Sequence, residues 1–103
     1  MTTTTQRVRI EVLVDKPLVR LVVATAKKAG VSGHTLVRTL GGEGHGGAWH
    51  EDRVIGADNK VLFLTVTKAD VADALITALE PLLDSHGLIV WRSPVEVIRS
   101  ETF

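Results

Sequence analysis

The 103-residue sequence contains no cysteine, no tyrosine, few aromatic residues and no excess of either charge. Without cysteine there is neither a disulfide framework nor a thiolate metal site, a composition that fits a reducing compartment. Twelve lysines and arginines balance twelve acids, whereas non-specific binders of nucleic acids or membranes usually carry a basic excess. The low aromatic content of 4% also leaves few platforms on which single-stranded nucleic acids could stack. We therefore expect a cytoplasmic protein that binds no nucleic acid.

Long apolar runs and catalytic motifs are missing as well. No run approaches the roughly 20 residues of a membrane-spanning helix, and the opening MTTTTQ lacks the charge and the apolar core of a signal peptide. The sequence has no Gly-x-Ser-x-Gly elbow and no evident pairing of a base with a nucleophile. We expect no direct insertion into a membrane and no enzyme activity.

The residues that are present alternate between strand and helix patterns, over a length that fits one domain. Val8, Ile10, Val12 and Val14 fall on one face of an extended chain and Arg7, Arg9 and Glu11 on the other, which predicts a strand with one buried face over residues 6–14. Similar patterns predict helices at 18–29 and 71–82 and strands at 33–40, 59–67 and 88–100. This order is that of the ferredoxin-like βαββαβ fold, an α+β architecture with an antiparallel four-stranded sheet and two helices on one face.

Individual residues mark the expected ends of the helices. Asp15 is predicted to cap the first helix, and Gly30 to end it in a left-handed conformation. Thr67 and Asp70 resemble a capping box for the second helix. Pro81 is expected to kink or end that helix, because proline has no N–H to donate.

The strand at 59–67 predicts a second packing surface. Leu62, Leu64 and Val66 point to one face, and Val61 and Phe63 point to the other. Strands that are apolar on both faces are buried on both sides, yet two helices can cover only one face of the sheet. The simplest cover for the second face is another copy of the chain, so we expect a homo-oligomer packed through its sheets.

A glycine-rich stretch, LGGEGHGGAW, occupies residues 40–49 and opens a segment of 18 residues, 41–58, that is long for a loop in a compact domain. Successive glycine N–H groups can form a nest that binds anions, phosphate above all. No Gly-Lys-Ser/Thr follows, so the stretch is not a P-loop. A mobile surface loop is the alternative. The candidate residues for the nest are Gly41, Gly42, Gly44, Gly46 and Gly47.

Charged residues near this stretch allow two kinds of site. Arginine recognises phosphate in a bidentate fashion, so an anion pocket would form if four cations converge: Arg38, Lys60, Arg92 and Arg99. A divalent-metal site is the alternative, and its candidate ligands are Glu43, His45, His50, Glu51 and Asp52. Because their spacing matches no specific metal motif, we expect no metal.

Two segments resemble a known family. GVSGHTLVRTLGGEG, residues 30–44, is similar to the strand-to-loop segment of the PII-like signalling proteins, and SPVEVIRSETF, residues 93–103, is similar to their last strand and tail. The likeness is greatest to the branch tied to carboxysomes and bicarbonate transport. The resemblance implies a single PII-like domain over residues 1–103 and a homotrimer with the sheets turned inward. It also implies adenine nucleotides in clefts between subunits and a long T-loop, at about residues 41–58, that engages a target protein.

The resemblance also implies the residues of the nucleotide site. Thr35 would meet the adenine, and Gly42 and Gly44 would lie beside the phosphates. The remaining matched positions are Lys60, Gly87, Arg99 and Glu101. The amides of the loop, including those of Gly41, Gly46 and Gly47, would serve bicarbonate as a second anion.

Departures from the classical family narrow the expected function. The loop at LDSHGLIVW, residues 83–91, is short and lacks the lysine that grips ATP phosphates in classical members, so we expect ADP or AMP. The absence of tyrosine excludes signalling by uridylylation. The leading hypothesis is an allosteric sensor of adenine nucleotides that acts on a bicarbonate transporter or a carboxysome-related protein through a surface such as Ala48 and Trp49. The alternatives are a trimeric metal-binding protein, an acylphosphatase-like enzyme and an interaction-only trimer.

Overall fold

The computed structural model describes residues 3–44, 47–50 and 59–98. In chain order the elements are β1 (Thr4–Asp15), a 3₁₀ turn (Lys16–Leu18), α1 (Val19–Ala29), β2 (Thr35–Arg38), β3 (Gly41–Gly44), β4 (Gly47–His50), β5 (Lys60–Thr67), α2 (Ala69–Ser85) and β6 (Ile89–Ile98). Four strands form one antiparallel sheet in the order β2-β5-β1-β6, and β3 pairs with β4 as a separate hairpin. The predicted ferredoxin-like fold is confirmed.

The core lies between the sheet and the two helices. Ile10, Val12 and Val14 of β1 are fully buried, as their alternation predicts, and Val12 pairs with Phe63 of β5. Each such side chain stabilises the fold by about 1.5–3 kcal/mol when it leaves water. The helices contribute the other side of the core, with buried residues Val22, Ala26, Ala72, Leu75 and Leu79.

Of the predicted helix ends, one is confirmed. Gly30 ends α1 with φ +104°, and its N–H bonds to the carbonyls of Ala26 and Lys27. The prediction that Asp15 caps the first helix is wrong, since its carboxylate lies 2.6 Å from Lys60 Nζ instead and makes no capping bond. An ion pair across two strands therefore replaces the local cap.

The predicted capping box of α2 is also wrong, and the helix does not end at Pro81. The helix begins after Lys68 without a side-chain cap, and Asp70 accepts a hydrogen bond from the N–H of its neighbour Val71 at 2.9 Å. Pro81 does not end the helix, which continues to Ser85. The missing N–H of Pro81 removes a single hydrogen bond, while Leu82 and Leu83 beyond it pack against the core.

The two helices carry opposite charges. α1 holds Arg20, Lys27 and Lys28 and has no acidic residue. α2 holds no lysine or arginine, and its acidic residues are Asp70, Asp73, Glu80 and Asp84. All seven of these charged side chains are exposed. None of the described helices is long and apolar enough to cross a membrane.

The side of the sheet opposite the helices is apolar and uncovered in the single chain. We call this surface the open face. Cross-strand partners share a face of a sheet, and the register groups its apolar members as Leu13, Val37, Leu62, Leu64, Ile89 and Trp91. Val37, Ile89 and Trp91 are 41%, 49% and 43% exposed. The prediction of a second apolar face is confirmed.

One buried carboxylate lies within the open face. Glu11 is only 7% exposed, and its Oε1 accepts hydrogen bonds from Arg9 Nε at 2.8 Å and from the Trp91 indole at 3.2 Å. A buried carboxylate needs such partners to offset its lost hydration. The open face therefore combines apolar surface with paired charges, Arg9 with Glu11 and Asp15 with Lys60.

Candidate functional site

The glycine-rich segment forms a hairpin that is anchored to the sheet. The expectation of an irregular loop is wrong for β3 and β4, which pair from Gly41 with His50 to Gly44 with Gly47. Trp49 Nε1 donates a hydrogen bond to Thr39 Oγ1 at 3.0 Å, and Thr39 Oγ1 donates to the carbonyl of Lys60 at 2.7 Å. These two bonds connect the hairpin to β5. Residues 45–46 and 51–58 lie outside the described residues.

The hairpin glycines fall into two groups. A Cβ at Gly41 would lie 2.5 Å from the carbonyl oxygen of Trp49, and a Cβ at Gly42 would lie 2.5 Å from Cη2 of its ring. Gly44 and Gly47 have open space around the Cβ position. The bare backbone of the first two glycines thus allows Trp49 to pack closely against β3. Gly46 lies outside the described residues.

Lys60 stands at the base of this hairpin. Its ammonium lies 2.6 Å from Asp15 Oδ1 and 5.4 Å from the centroid of the Trp49 ring. The side chain is 21% exposed, so the charge is partly shielded from water. Since Asp15 pairs with Lys60 and Leu13 with Ile89, the register places the turn of Gly87, which has φ +64°, at the same end of the sheet.

Thr35 lies farther from the hairpin than Lys60 does, at the opposite end of β2. It pairs with Leu64 on the open face and lines a cleft of about 380 Å³, which we call the Thr35 cleft, together with Ser32, Gly33, His34, Thr65 and Val66. Thr65 Oγ1 donates to the carbonyl of Gly33 at 2.6 Å. β2 separates Thr35 from Thr39 by roughly 13 Å of strand. Within one chain, Thr35 is therefore not brought together with the hairpin glycines and Lys60.

A larger cavity of about 920 Å³ lies between α1 and the strands β2 and β5. We call it the cationic groove after five lining residues: Lys16, Arg20, Lys27, Arg38 and Lys60. It thus brings together two of the four cations considered for an anion pocket, Arg38 and Lys60. Arg92 does not join them, because its guanidinium pairs with Asp73 of α2 at 2.9 Å. Arg99 and Glu101 lie outside the described residues.

Sequence reasoning missed the contribution of the first helix to this groove. The helical spacing predicts that Arg20 and Lys27 face solvent, and both are exposed. The spacing does not predict that they line the groove. Residues 16, 20 and 27 share one face of a helical turn pattern, and this spacing is the signal that could have revealed them. The pattern does not tell whether that face meets water or a neighbouring strand.

A family profile matches nearly the whole chain. The profile of the nitrogen regulatory protein P-II family matches residues 3–102. The chain belongs to the P-II family. The PII-like resemblance drawn from two segments of this P-II sequence is thus confirmed, and it extends over nearly the whole chain. No curated protein matches the sequence.

Solved structures share the fold of this P-II chain at low sequence identity. CPII from Thiomonas intermedia K12, a nitrogen regulatory PII-like protein bound to ADP, AMP and bicarbonate, gives a TM-score of 0.89 at 19% identity, over 98% of this chain and 96% of that one. A PII-like signalling protein from Thermus thermophilus gives 0.84 at 20% identity, over 97% of each chain. A DUF3240 family protein from Shewanella baltica gives 0.66 at 19% identity, over 92% of each.

The described part of this P-II chain holds no group of three or more His, Cys, Asp or Glu residues that could bind a metal ion. Glu43 and His50 lie on the paired strands of the hairpin. The other candidate ligands, His45, Glu51 and Asp52, lie outside the described residues.

Proposed function

We propose that this P-II family member is a non-enzymatic regulator that binds ADP or AMP as a homotrimer packed through its open face. The single observation that carries the proposal is the position of the Thr35 cleft. Thr35 pairs with Leu64, so it opens onto the same face that a second copy would cover. Within one chain, the residues at the hairpin base lie about 13 Å along the strand from Thr35. A second subunit packed on the open face would supply this other half of the site.

The two halves suit different parts of a nucleotide. The Thr35 cleft, with its volume of about 380 Å³ and its apolar walls at Leu64 and Val66, fits a flat base. The hairpin base offers Lys60, the amides near Gly42 and Gly44, and the turn at Gly87, which suit phosphates. Arg99 and Glu101 would complete this half from the C-terminal segment.

Bicarbonate is the proposed second effector. CPII, which shares the fold, has been solved with ADP, AMP and bicarbonate together. In this chain the amides of residues 41–47, including Gly41, Gly46 and Gly47, and the ammonium of Lys60 would receive that small anion. The effector pair would link the protein to the supply of inorganic carbon.

Signalling would follow from the state of the hairpin. Trp49 is half-buried and bonded to Thr39, whereas Ala48 is exposed. A ligand shifts such an equilibrium only if it binds one state better than the other. We propose that nucleotide and bicarbonate select between this docked state of Trp49 and a released state. The T-loop, at about residues 41–58, would present the released Trp49 to a bicarbonate transporter or a carboxysome-related protein in the cytoplasm.

Isothermal titration calorimetry with ADP and AMP, with and without bicarbonate, tests the proposal. Thr35→Val is expected to weaken nucleotide binding about fivefold, since one hydrogen bond of about 1 kcal/mol is lost. Thr77→Val, which changes an exposed threonine of α2, is the matched control and should bind like the wild type. Absence of heat with every combination of ligands would refute the proposed function.

A further inference from the structure

The cationic groove carries charge that the rest of the described chain does not neutralise. Lys60 is paired with Asp15 at 2.6 Å. The other four cations of the groove, Lys16, Arg20, Lys27 and Arg38, form no ion pair within the described residues. In a protein with equal numbers of acids and bases, this concentration of one sign marks a surface that attracts anions.

The arrangement of these cations favours an extended ligand. Arg20 and Lys27 lie about 10 Å apart along α1, and Lys16 lies one further turn toward the start of the chain. Arg38 faces them from β2. Charges that follow a line of roughly 17 Å match several separate anionic groups better than one phosphate.

The floor of the groove selects among extended anions. It is made of aliphatic side chains, among them Val19, Val23, Leu36 and Val61, and Leu36 is 45% exposed. A polyphosphate or a nucleic acid backbone has no apolar group to place there. A peptide that carries both carboxylates and aliphatic side chains fills both requirements.

We propose that the cationic groove is a docking site for an acidic segment of a partner protein that also bears aliphatic side chains. The groove lies on the helix side of the sheet, because Leu36 and Arg38 pair with Phe63 and Val61. The part of the groove formed by α1, Leu36 and Arg38 is therefore separate from the open face, whereas Lys60 at its edge lies on the open-face side of β5. The groove shares Lys60 with the proposed phosphate site. The inference does not depend on nucleotide binding, because the residues that its test changes, Arg20 and Lys27 of α1, have no part in that site.

A labelled peptide of about twelve residues, rich in glutamate and with leucine at every third or fourth position, is the probe. Fluorescence anisotropy without nucleotide is expected to detect binding that weakens as salt is raised, since screening reduces charge attraction. The double variant Arg20→Gln with Lys27→Gln should bind about tenfold more weakly, the equivalent of about 1.4 kcal/mol. Lys28→Gln is the matched control, because Lys28 is an exposed cation of α1 outside the groove and should change binding less than about twofold.

Several results would overturn the inference. One is a titration of the peptide without any rise in anisotropy, and another is a double variant that binds as tightly as the wild type while circular dichroism shows it folded. If a peptide with serine in place of leucine binds equally well, the groove recognises charge alone and its aliphatic floor does not contribute. If tripolyphosphate displaces the peptide and binds more tightly than the peptide does, the groove is a site for polyanions. If the protein forms salt-sensitive oligomers that the double variant does not form, the groove is occupied by a second copy of the chain. Because nucleotide is absent throughout, none of these results bears on ADP or AMP binding.

Discussion

Trp49 donates its indole proton to Thr39, with 3.0 Å between Nε1 and Oγ1, while the Thr39 hydroxyl donates to the carbonyl of Lys60 at 2.7 Å. A hydroxyl has one proton to give and lone pairs that accept, so a single side chain connects the hairpin to β5. The hairpin and the end of the sheet are therefore coupled at a group that mutation can remove.

Replacing this hydroxyl should release the hairpin. In Thr39→Val, the indole loses its acceptor, and we expect about 1 kcal/mol less stability for the docked hairpin. In a Trp91→Phe background, where Trp49 is the remaining tryptophan, its emission should shift to the red. Thr39→Ser keeps the hydroxyl and should retain the wild-type spectrum. An unchanged spectrum in Thr39→Val would show that the bond does not hold Trp49.

Two neighbouring glycines provide a matched pair of substitutions. Gly42→Ala places a Cβ 2.5 Å from the Trp49 ring, whereas Gly44→Ala meets nothing within 4 Å. We expect the first to displace Trp49 and raise hydrogen exchange of the hairpin amides, and the second to leave both unchanged. Equal exchange in the two variants would contradict the close packing of Trp49 on β3.

The Asp15–Lys60 pair should stabilise the hairpin base modestly. Both side chains keep contact with water, at 40% and 21% exposure, so a double-mutant cycle with Asp15→Asn and Lys60→Met should give a coupling of about 0.5–1 kcal/mol. The coupling should fall in high salt because screening weakens exposed pairs. Urea unfolding at low and high salt measures it, and a coupling that does not respond to salt would argue against an electrostatic origin.

Assembly through the open face predicts a charge-sensitive interface. Leu62→Glu places a carboxylate between Leu13 and Val37 on that face, where burial without a partner is costly. We expect sedimentation velocity to report a monomer for this variant and a trimer for the wild type. Leu21→Glu, at a 37% exposed position on α1, should remain trimeric. If Leu62→Glu also remains trimeric, the subunits meet elsewhere.

The sequence allows the sheet and helices to be predicted because their patterns are local. The apolar residues of β1 recur at every second position from Val8 to Val14, and the strand, at Thr4–Asp15, extends slightly beyond the predicted range at both ends. Gly30 is predicted and confirmed for the same reason, since a left-handed residue needs glycine at that position. The predicted cap at Asp15 fails because Lys60, distant in sequence, gives this carboxylate a stronger partner.

The candidate site is less accessible to such reasoning. Glycine has low strand propensity, so the pairing of Gly41–Gly44 with Gly47–His50 depends on contacts that no local pattern encodes. Trp49 lies between these glycines and Thr39, and only the fold brings the three together. The cationic groove likewise requires α1 to face β2, a relationship between elements and not a property of either one.

The segregation of charge between the helices has a consequence for handling the protein. A chain with equal numbers of acids and bases is normally expected to pass unretained through ion-exchange resins at neutral pH. Here α1 is wholly basic and α2 wholly acidic in their charged residues, so the molecule carries a permanent dipole across its outer layer. At low ionic strength it should adhere to anion and cation exchangers alike, turning a different helix toward each.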